Sequence, residues 1–215
     1  WYIEHGIPED MVMLRPHDED ELSHYSTGTS DVEFKFPWGF DELEGIAKRT
    51  DFDLKAHAAA SGEKLDYFDP QTQERYVPYV IEPAAGATRT MAAFLLAAYD
   101  EDEVNGEVRT VLRLHPRLAP YKVAVLPLSK KDTLTPLAHE VRKLLADRYM
   151  VDYDETQNIG KRYRRQDEIG TPLAVTVDFD SLDDNAVTVR DRDTMEQVRV
   201  PIDQLLATVG EKLGL

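Results

Sequence analysis

Between Lys122 and Asp178 short apolar runs alternate with stretches of helical periodicity, and few folds accommodate that order. Lys122-Val-Ala-Val-Leu-Pro-Leu128 suits a buried strand. Thr135-Pro136 then supplies a cap and a first-turn proline for a helix carrying Leu137, Val141, Leu144 and Leu145 at i, i+4, i+7 and i+8. Residues 150–153 form a second strand, 158–169 a helix whose charge is mostly positive, and Ala174-Val-Thr-Val-Asp178 a third strand after Gly170-Thr-Pro172. The order βαβαβ implies a sheet with helices on its faces. Residues 186–190 and 197–200 read as a hairpin through Arg192-Asp-Thr194, and 202–213 as a closing helix.

The first half has a different texture, α+β rather than alternating. Asp31-Val-Glu-Phe-Lys-Phe36 alternates polar and apolar residues, the period of a strand with one wet face, and Pro37-Trp-Gly39 is a turn. Residues 58–75 read as a loop or insertion, after which Arg75-Tyr-Val-Pro-Tyr-Val-Ile81 is β-rich and runs into the small-residue turn Glu82-Pro-Ala-Ala-Gly86. From 88 to 99, Met91, Phe94, Leu95 and Ala98 recur at helical spacing and are expected to face a core. Thr88 is the expected cap, and the acidic residues 100–103 with Asn105-Gly106 are expected to end the helix.

Charge divides the chain as well. The net charge of −16 argues against a polyanionic partner, but it is unevenly spread: residues 1–107 carry −16, 108–170 carry +5 and 171–215 carry −5. The middle is a basic island, and the change of sign with Pro116 and Pro120 suggests domains at 1–115 and 116–215. The longest apolar stretch, 91–99, is about half of the roughly 18 residues of a membrane span, so no membrane partner is expected. Zero cysteines remove disulfides and thiolate zinc sites, and six histidines without metal-ligand spacing leave no expected metal site; a reducing, cytoplasmic setting is the default. Trp1 has no initiator Met or signal segment before it, so it is expected to be an interior position of a longer protein.

The usual phosphate-binding and nucleophile motifs are absent, among them Gly-x-Gly-x-x-Gly, Gly-x-x-x-x-Gly-Lys-Ser/Thr and Gly-x-Ser-x-Gly. What remains are carboxylates and arginines beside small residues, in Glu42-Leu-Glu-Gly45 and Glu82-Pro-Ala-Ala-Gly-Ala-Thr-Arg89. With His24-Tyr25, Leu118-Ala-Pro120, Ile159-Gly-Lys-Arg-Tyr-Arg-Arg-Gln-Asp-Glu-Ile-Gly-Thr-Pro172 and Thr188-Val-Arg-Asp-Arg-Asp-Thr194, these blocks resemble, in order, the C-terminal part of the homodimeric glycyl-tRNA synthetases of class II.

The resemblance implies that residues 1–115 end an antiparallel-sheet catalytic domain containing the third class II motif, and that 116–215 are an α/β anticodon-binding domain, a mixed sheet with helices on both faces. It implies ATP and Mg as cofactors, and glycine and tRNA(Gly) as partners. Glu82 would meet the glycine ammonium in a turn of Pro83, Ala84, Ala85 and Gly86, whose small size excludes larger amino acids. Many members carry Ser where Ala84 stands. Arg89 would be the catalytic arginine; Glu42, Leu43, Gly86, Ala87, Thr88 and Arg89 would contact ATP, and Glu42 would reach the metal. The motifs expected upstream, with the dimer-forming element, are not in the chain, so the chain alone is expected to be inactive and the full-length protein a homodimer.

Glycine anticodons end in two cytosines, whose edges pair an amine donor with acceptors. Arg165, Gln166, Asp167 and Glu168 offer both complements, and Lys161 and Arg162 suit phosphates. Two other readings compete: a non-catalytic synthetase-like nucleic-acid-binding accessory protein, and a class II synthetase for histidine, threonine or proline. Glu42, Glu82 and Arg89 speak against the first, because a pure binder needs no glycine and ATP pocket. The Glu82-Pro-Ala-Ala-Gly turn speaks against the second.

Overall fold

A computed structural model describes all 215 residues and divides them into two units, Ile7–Leu96 and a second formed by Trp1–Gly6 with Ala97–Leu215. The fold class is α+β, and no helix is long and apolar enough to cross a membrane.

The unit Ile7–Leu96 is built on an antiparallel sheet of β1 (Val12–Pro16), β2 (Thr29–Phe36), β3 (Gly39–Thr50) and β6 (Val80–Ala85), in the order β1-β2-β3-β6. Helix α1 (Phe52–Ser61) and the short strands β4 (Tyr67–Phe68) and β5 (Arg75–Tyr76) occupy the connection from β3 to β6. Part of the stretch read as a loop is therefore regular structure, the end of a helix closed by Gly62 at φ +78° and a two-residue ladder. The alternation in β2 separates two faces, but the polar one is not wet, since Asp31 and Glu33 are buried as well. Phe34 and Phe36 are buried on one face, and Thr29, Asp31 and Glu33 take the other.

Helix α2 (Ala87–Ala98) follows β6. Its stripe is offset from the expected one: Ala93, Phe94 and Ala98 are buried, whereas Met91 is 58% exposed and Leu95 and Leu96 are also exposed. The acidic stretch behind it does not simply end a helix. β7 (Tyr99–Val104) and β8 (Glu107–Leu112) form a hairpin whose two turn residues, Asn105 at φ +54° and Gly106 at φ +82°, have the left-handed geometry a tight two-residue loop requires.

In the larger unit, β9 (Val123–Pro127), β10 (Val151–Tyr153), β11 (Leu173–Val177), β12 (Ala186–Asp191) and β13 (Gln197–Pro201) form a mixed sheet in the order β10-β9-β11-β12-β13. β9, β10 and β11 are parallel, as the βαβαβ pattern demands, and β12 and β13 are the expected hairpin. Helix α3 (Thr135–Ala146) and helix α6 (Leu205–Leu213) pack Val141, Leu145, Val209 and Leu213 on one face of the sheet. Helix α4 (Ile159–Ile169) covers the other, with Ile159 and Tyr163 against Ala124, Leu126 and Ala174. A single turn, α5 (Ser181–Asp184), links β11 to β12.

Residues 97–115, which charge and prolines assign to the first domain, group here with the mixed sheet. The reason is ionic. The fully buried Arg109 of β8 donates to the Arg192 carbonyl (2.8 Å) and lies 3.4 Å from the Asp167 carboxylate, while Arg113 bonds Asp193 (2.9 Å). Gly170 makes the approach possible: at φ +85°, a Cβ there would lie 2.9 Å from the Leu112 carbonyl oxygen.

Two outcomes follow. Gly170→Ala should cost well over 1 kcal/mol in urea unfolding, since a left-handed alanine already costs about 1–2 kcal/mol and the neighbour it meets is backbone. The hydrogen bond from Arg109, with help from Arg113, holds the Asp102 carboxyl at about 2, below its unfolded value. That stability is present above pH 4 and is lost as pH falls toward 2, so Asp102→Asn should flatten this part of the acid-unfolding profile.

Candidate functional site

Strand pairing gathers the first candidate site. β3 and β6 pair Gly45 with Ala84 and Ala47 with Glu82, so these four side-chain positions share one face. Glu42 is three residues from Gly45, a spacing that in a regular strand would point it to the opposite face. A bulge corrects this: Val32 faces Glu44 but Glu33 faces Glu42, leaving Leu43 as the extra residue, and Glu42 rejoins the face of Gly45. From β2, Asp31 stands opposite Gly45 on the same face.

The result is two cavities that share Glu42 and Ala84. One, of about 280 Å³, is also lined by Asp31, Gly45, Ala47, Arg49 and Glu82, with His17, Tyr25 and their neighbours closing its far side. The other, of about 290 Å³, is lined by Asp41, Leu43, Gly86 and Arg89. Space at Gly45 in the first cavity is limited: a Cβ there would lie 3.3 Å from Glu42 Oε1, which would have to shift slightly, and in ordinary contact with Asp31 Oδ1 at 3.6 Å.

Charges in the first cavity are paired tightly. Arg49 donates to Glu82 (2.5 Å) and bidentately to Asp53 (2.6 and 3.0 Å), and its guanidinium lies 3.9 Å from the Tyr25 ring centre. The Asp53 bond, then Glu82, raises the pKa of Arg49, and it stays protonated. Arg15 bonds Glu33 (2.7 Å), and His17 lies 2.6 Å from Asp31. Glu82 thus already holds a cationic N–H donor, the chemistry an ammonium would bring. At the second cavity Arg89 pairs with Asp41 (2.8 Å) and sits 4.8 Å from the Phe36 ring, on whose plane Trp38 stacks. The Trp38 indole N–H, then Arg89, holds the Asp41 carboxyl below its ordinary range.

Not every expected residue reaches these cavities. Pro83 and Ala85 alternate onto the opposite face of β6, and Ala87 and Thr88 open α2 without lining either cavity. Arg49, Asp31 and His17 received no role in the sequence reading. Arg49 and Asp53 stand four apart like an ordinary surface pair, and nothing local reveals that the arginine turns to Glu82.

The second candidate site, on α4, needs a larger correction. Arg162, Gln166 and Asp167 are buried. Arg162 sits under the loops that follow β9 and β10, donating to the carbonyls of Pro127, Leu128, Asp154 and Gln157. Gln166 donates to Asp152 (2.6 Å) and accepts from the Thr171 hydroxyl (2.7 Å). Asp167 takes two bonds from Arg190 (2.8 and 3.1 Å). Three of the six expected anticodon readers are therefore internal, because α4 packs its i, i+4, i+5 face onto the sheet. Lys161 and Glu168 remain exposed and Arg165 partly so, the last bonding Asp154 (2.9 Å) and Thr156 (2.9 Å).

Residues 122–212 match a family model described as an anticodon binding domain. Over 99% of its length, the chain is 60% identical to the glycine–tRNA ligases of Macrococcus caseolyticus and Bacillus cereus (strain ZK / E33L), and 58% identical to that of Staphylococcus aureus (strain Newman). The likeness is to glycine–tRNA ligase from end to end. The chain spans about half the length of these curated relatives, 46% of each.

Asp167 gives a direct check of the corrected placement. Breaking its buried ion pairs in Asp167→Asn should lower stability by about 3–5 kcal/mol in chemical unfolding. Below the melting range the variant should keep the wild-type order of preference among RNA stem-loops of different sequence.

Proposed function

We propose that this chain supplies the amino-acid pocket, the third-motif arginine and the anticodon-binding domain of a glycine–tRNA ligase. The reaction joins a glycine carboxylate oxygen to the α-phosphorus of ATP with release of pyrophosphate, and then passes the glycyl group to a hydroxyl of the terminal ribose of tRNA(Gly) with release of AMP. The observation that carries this reading is the pair of cavities meeting at Glu42 and Ala84: one lined by Glu82 and other carboxylates, Arg49 and the small residues Gly45, Ala47 and Ala84, the other by Arg89 with Asp41 and Gly86.

The roles follow from the geometry. Glu82 accepts hydrogen bonds from the substrate ammonium, sharing its charge with Arg49. Ala84, Gly45 and Ala47 leave room for the substrate α-carbon beside Glu82. On the other side Arg89 leaves Asp41 to meet ATP phosphates, neutralising charge as it develops. Magnesium, when bound with ATP, supplies further charge neutralisation, and Glu42 fits it as a single protein carboxylate beside phosphate oxygens. No side-chain nucleophile is required; catalysis is positioning and electrostatics. Lys161, Arg165 and Glu168 are the α4 residues left to meet the anticodon arm. We place the whole protein in the cytoplasm as a homodimer. The accessory-protein reading is disfavoured, because Glu82, Arg49 and Arg89 form a pocket that RNA binding alone does not use.

In the protein at the full length of its relatives, glycine-dependent exchange of pyrophosphate into ATP is the test. Glu82→Gln should impair glycine use about ten- to a hundredfold, the worth of roughly 1.5–3 kcal/mol for a charge-assisted hydrogen bond. No exchange in the wild type, or unchanged kinetics in the variant, would defeat the proposal. Lys161→Ala should weaken all stem-loops alike and lower the salt slope by up to about 1.

A further inference from the structure

The end of β3 is irregular in two places. Opposite β6, Lys48 faces Ile81 and Thr50 faces Val80, so Arg49 is the extra residue of a second bulge, its side chain on the Glu82 side. Thr50 then takes φ +54°, a left-handed conformation that β-branched side chains seldom adopt. Strain of this kind persists where the surrounding structure demands it, and it gathers at functional sites. Here it ends the strand abruptly: α1 starts at Phe52, and its first turn carries Asp53 back to Arg49.

Asp53 and Glu82 divide the Arg49 guanidinium unequally. Asp53 accepts from Nε (2.6 Å) and Nη2 (3.0 Å), which engages one edge of the fork, and Glu82 Oε2 accepts only from Nη1 (2.5 Å). Glu82 Oε1 is left without a hydrogen bond, on a side chain that is 42% exposed and lines the first cavity. The Arg49 bond keeps the Asp53 carboxyl below its ordinary range, so it is ionised at neutral pH. Arg15 is held by Glu33 and Glu21, and His17 by Asp31, so Arg49 is the cation in contact with Glu82. Without Asp53, Arg49 is free to turn its fork to Glu82. Arginine and carboxylate favour a bidentate pair, which would occupy both Glu82 oxygens.

We propose that Asp53 is a positioning residue of the amino-acid pocket: it holds Arg49 by one edge, prevents that arginine from closing on Glu82, and so keeps one Glu82 oxygen open to the substrate ammonium. Thr50 is the strained turn that delivers Asp53 to this place. The inference rests on the reading of Glu82 as the ammonium acceptor and adds what keeps it available. Asp53 also balances the Arg49 charge, so that the cation beside Glu82 does not repel a second one. Because Asp53 acts only through Arg49 and Glu82, and neither lines the cavity of Arg89, its loss weakens glycine binding and leaves ATP alone.

The test measures pyrophosphate exchange in the protein at the full length of its relatives. Asp53→Ala should raise the KM for glycine about five- to fiftyfold, with the KM for ATP within about twofold of wild type. Asp53→Asn, which keeps the shape and spares folding, should raise the glycine KM by less, and Asp53→Glu should recover most of the wild-type value. A merely structural role would not separate the two substrates. In a Glu82→Gln background, Asp53→Ala should add less than about threefold, since no charged oxygen remains to be kept open. If Glu82→Gln impairs glycine use while Asp53→Ala and Asp53→Asn leave the glycine KM unchanged, or if the effects of Glu82→Gln and Asp53→Ala multiply in full, the Asp53 proposal is overturned and the Glu82 reading stands. If Glu82→Gln itself changes nothing, both are overturned.

Discussion

The bulge at Leu43 governs which carboxylates meet in the first unit. In a regular strand through Leu43, with no bulge, Glu42 would turn to the face that carries Phe34 and Phe36, and the two cavities would lose the group they share. With the bulge, strand pleat alone brings Glu42, Gly45, Ala47, Ala84 and Glu82 to one side. The antiparallel register does the rest, setting Asp31 of β2 opposite Gly45 and Ala84 of β6 beside it. This grouping of carboxylates and small residues follows from backbone geometry, before any loop is considered. The same pleat explains why Pro83 and Ala85 are outside it.

Burial of charge plays the corresponding part in the second unit. Asp167 and Arg109 are almost wholly removed from solvent, and each would be costly unpaired. Together with Arg190 they tie α4, β12 and the β7–β8 hairpin into one body, and Arg192 adds bonds to the carbonyls of Leu114 and Gly170 (2.9 Å each). Of the thirteen Lys and Arg residues of the basic island only Arg109 and Arg162 are buried, where they serve backbone carbonyls and aspartates. Lys130, Lys131, Arg142, Lys143, Arg148 and Lys161 of the same segment remain exposed.

Much of this was legible in the order of residues and some was not, for physical reasons. The βαβαβ run was readable because parallel buried strands are continuous apolar runs and their helices have a separate period, and Thr29–Phe36 was readable because alternation is direct evidence of two unlike faces. The β7–β8 hairpin was hidden by its acidity, although Asn105-Gly106 is itself a hairpin signal. Arg49 and Arg162 were misjudged from opposite directions. A charged side chain in a polar stretch carries no mark of where its long stem leads, so Arg49 looked like a surface pair and Arg162 like a phosphate ligand. Only the tertiary arrangement, with four carbonyls converging at the ends of β9 and β10, gives Arg162 its role. Glu82 and Arg89 drew notice because they flank a run of small residues, and the roles expected of them came from the family resemblance.

The central claim is that Glu82 and the small residues facing it form the amino-acid pocket and that Arg89 serves the nucleotide side. The most direct measurement is a crystal structure of the protein, at the full length of its relatives, bound to a non-hydrolysable glycyl-adenylate analogue. The account predicts the analogue's ammonium within hydrogen-bond reach of Glu82, its α-carbon against Ala84 and Gly45, and Arg89 turned from Asp41 to the adenylate. An analogue bound elsewhere, or one whose ammonium lies away from Glu82 while Arg49 keeps that carboxylate to itself, would contradict it.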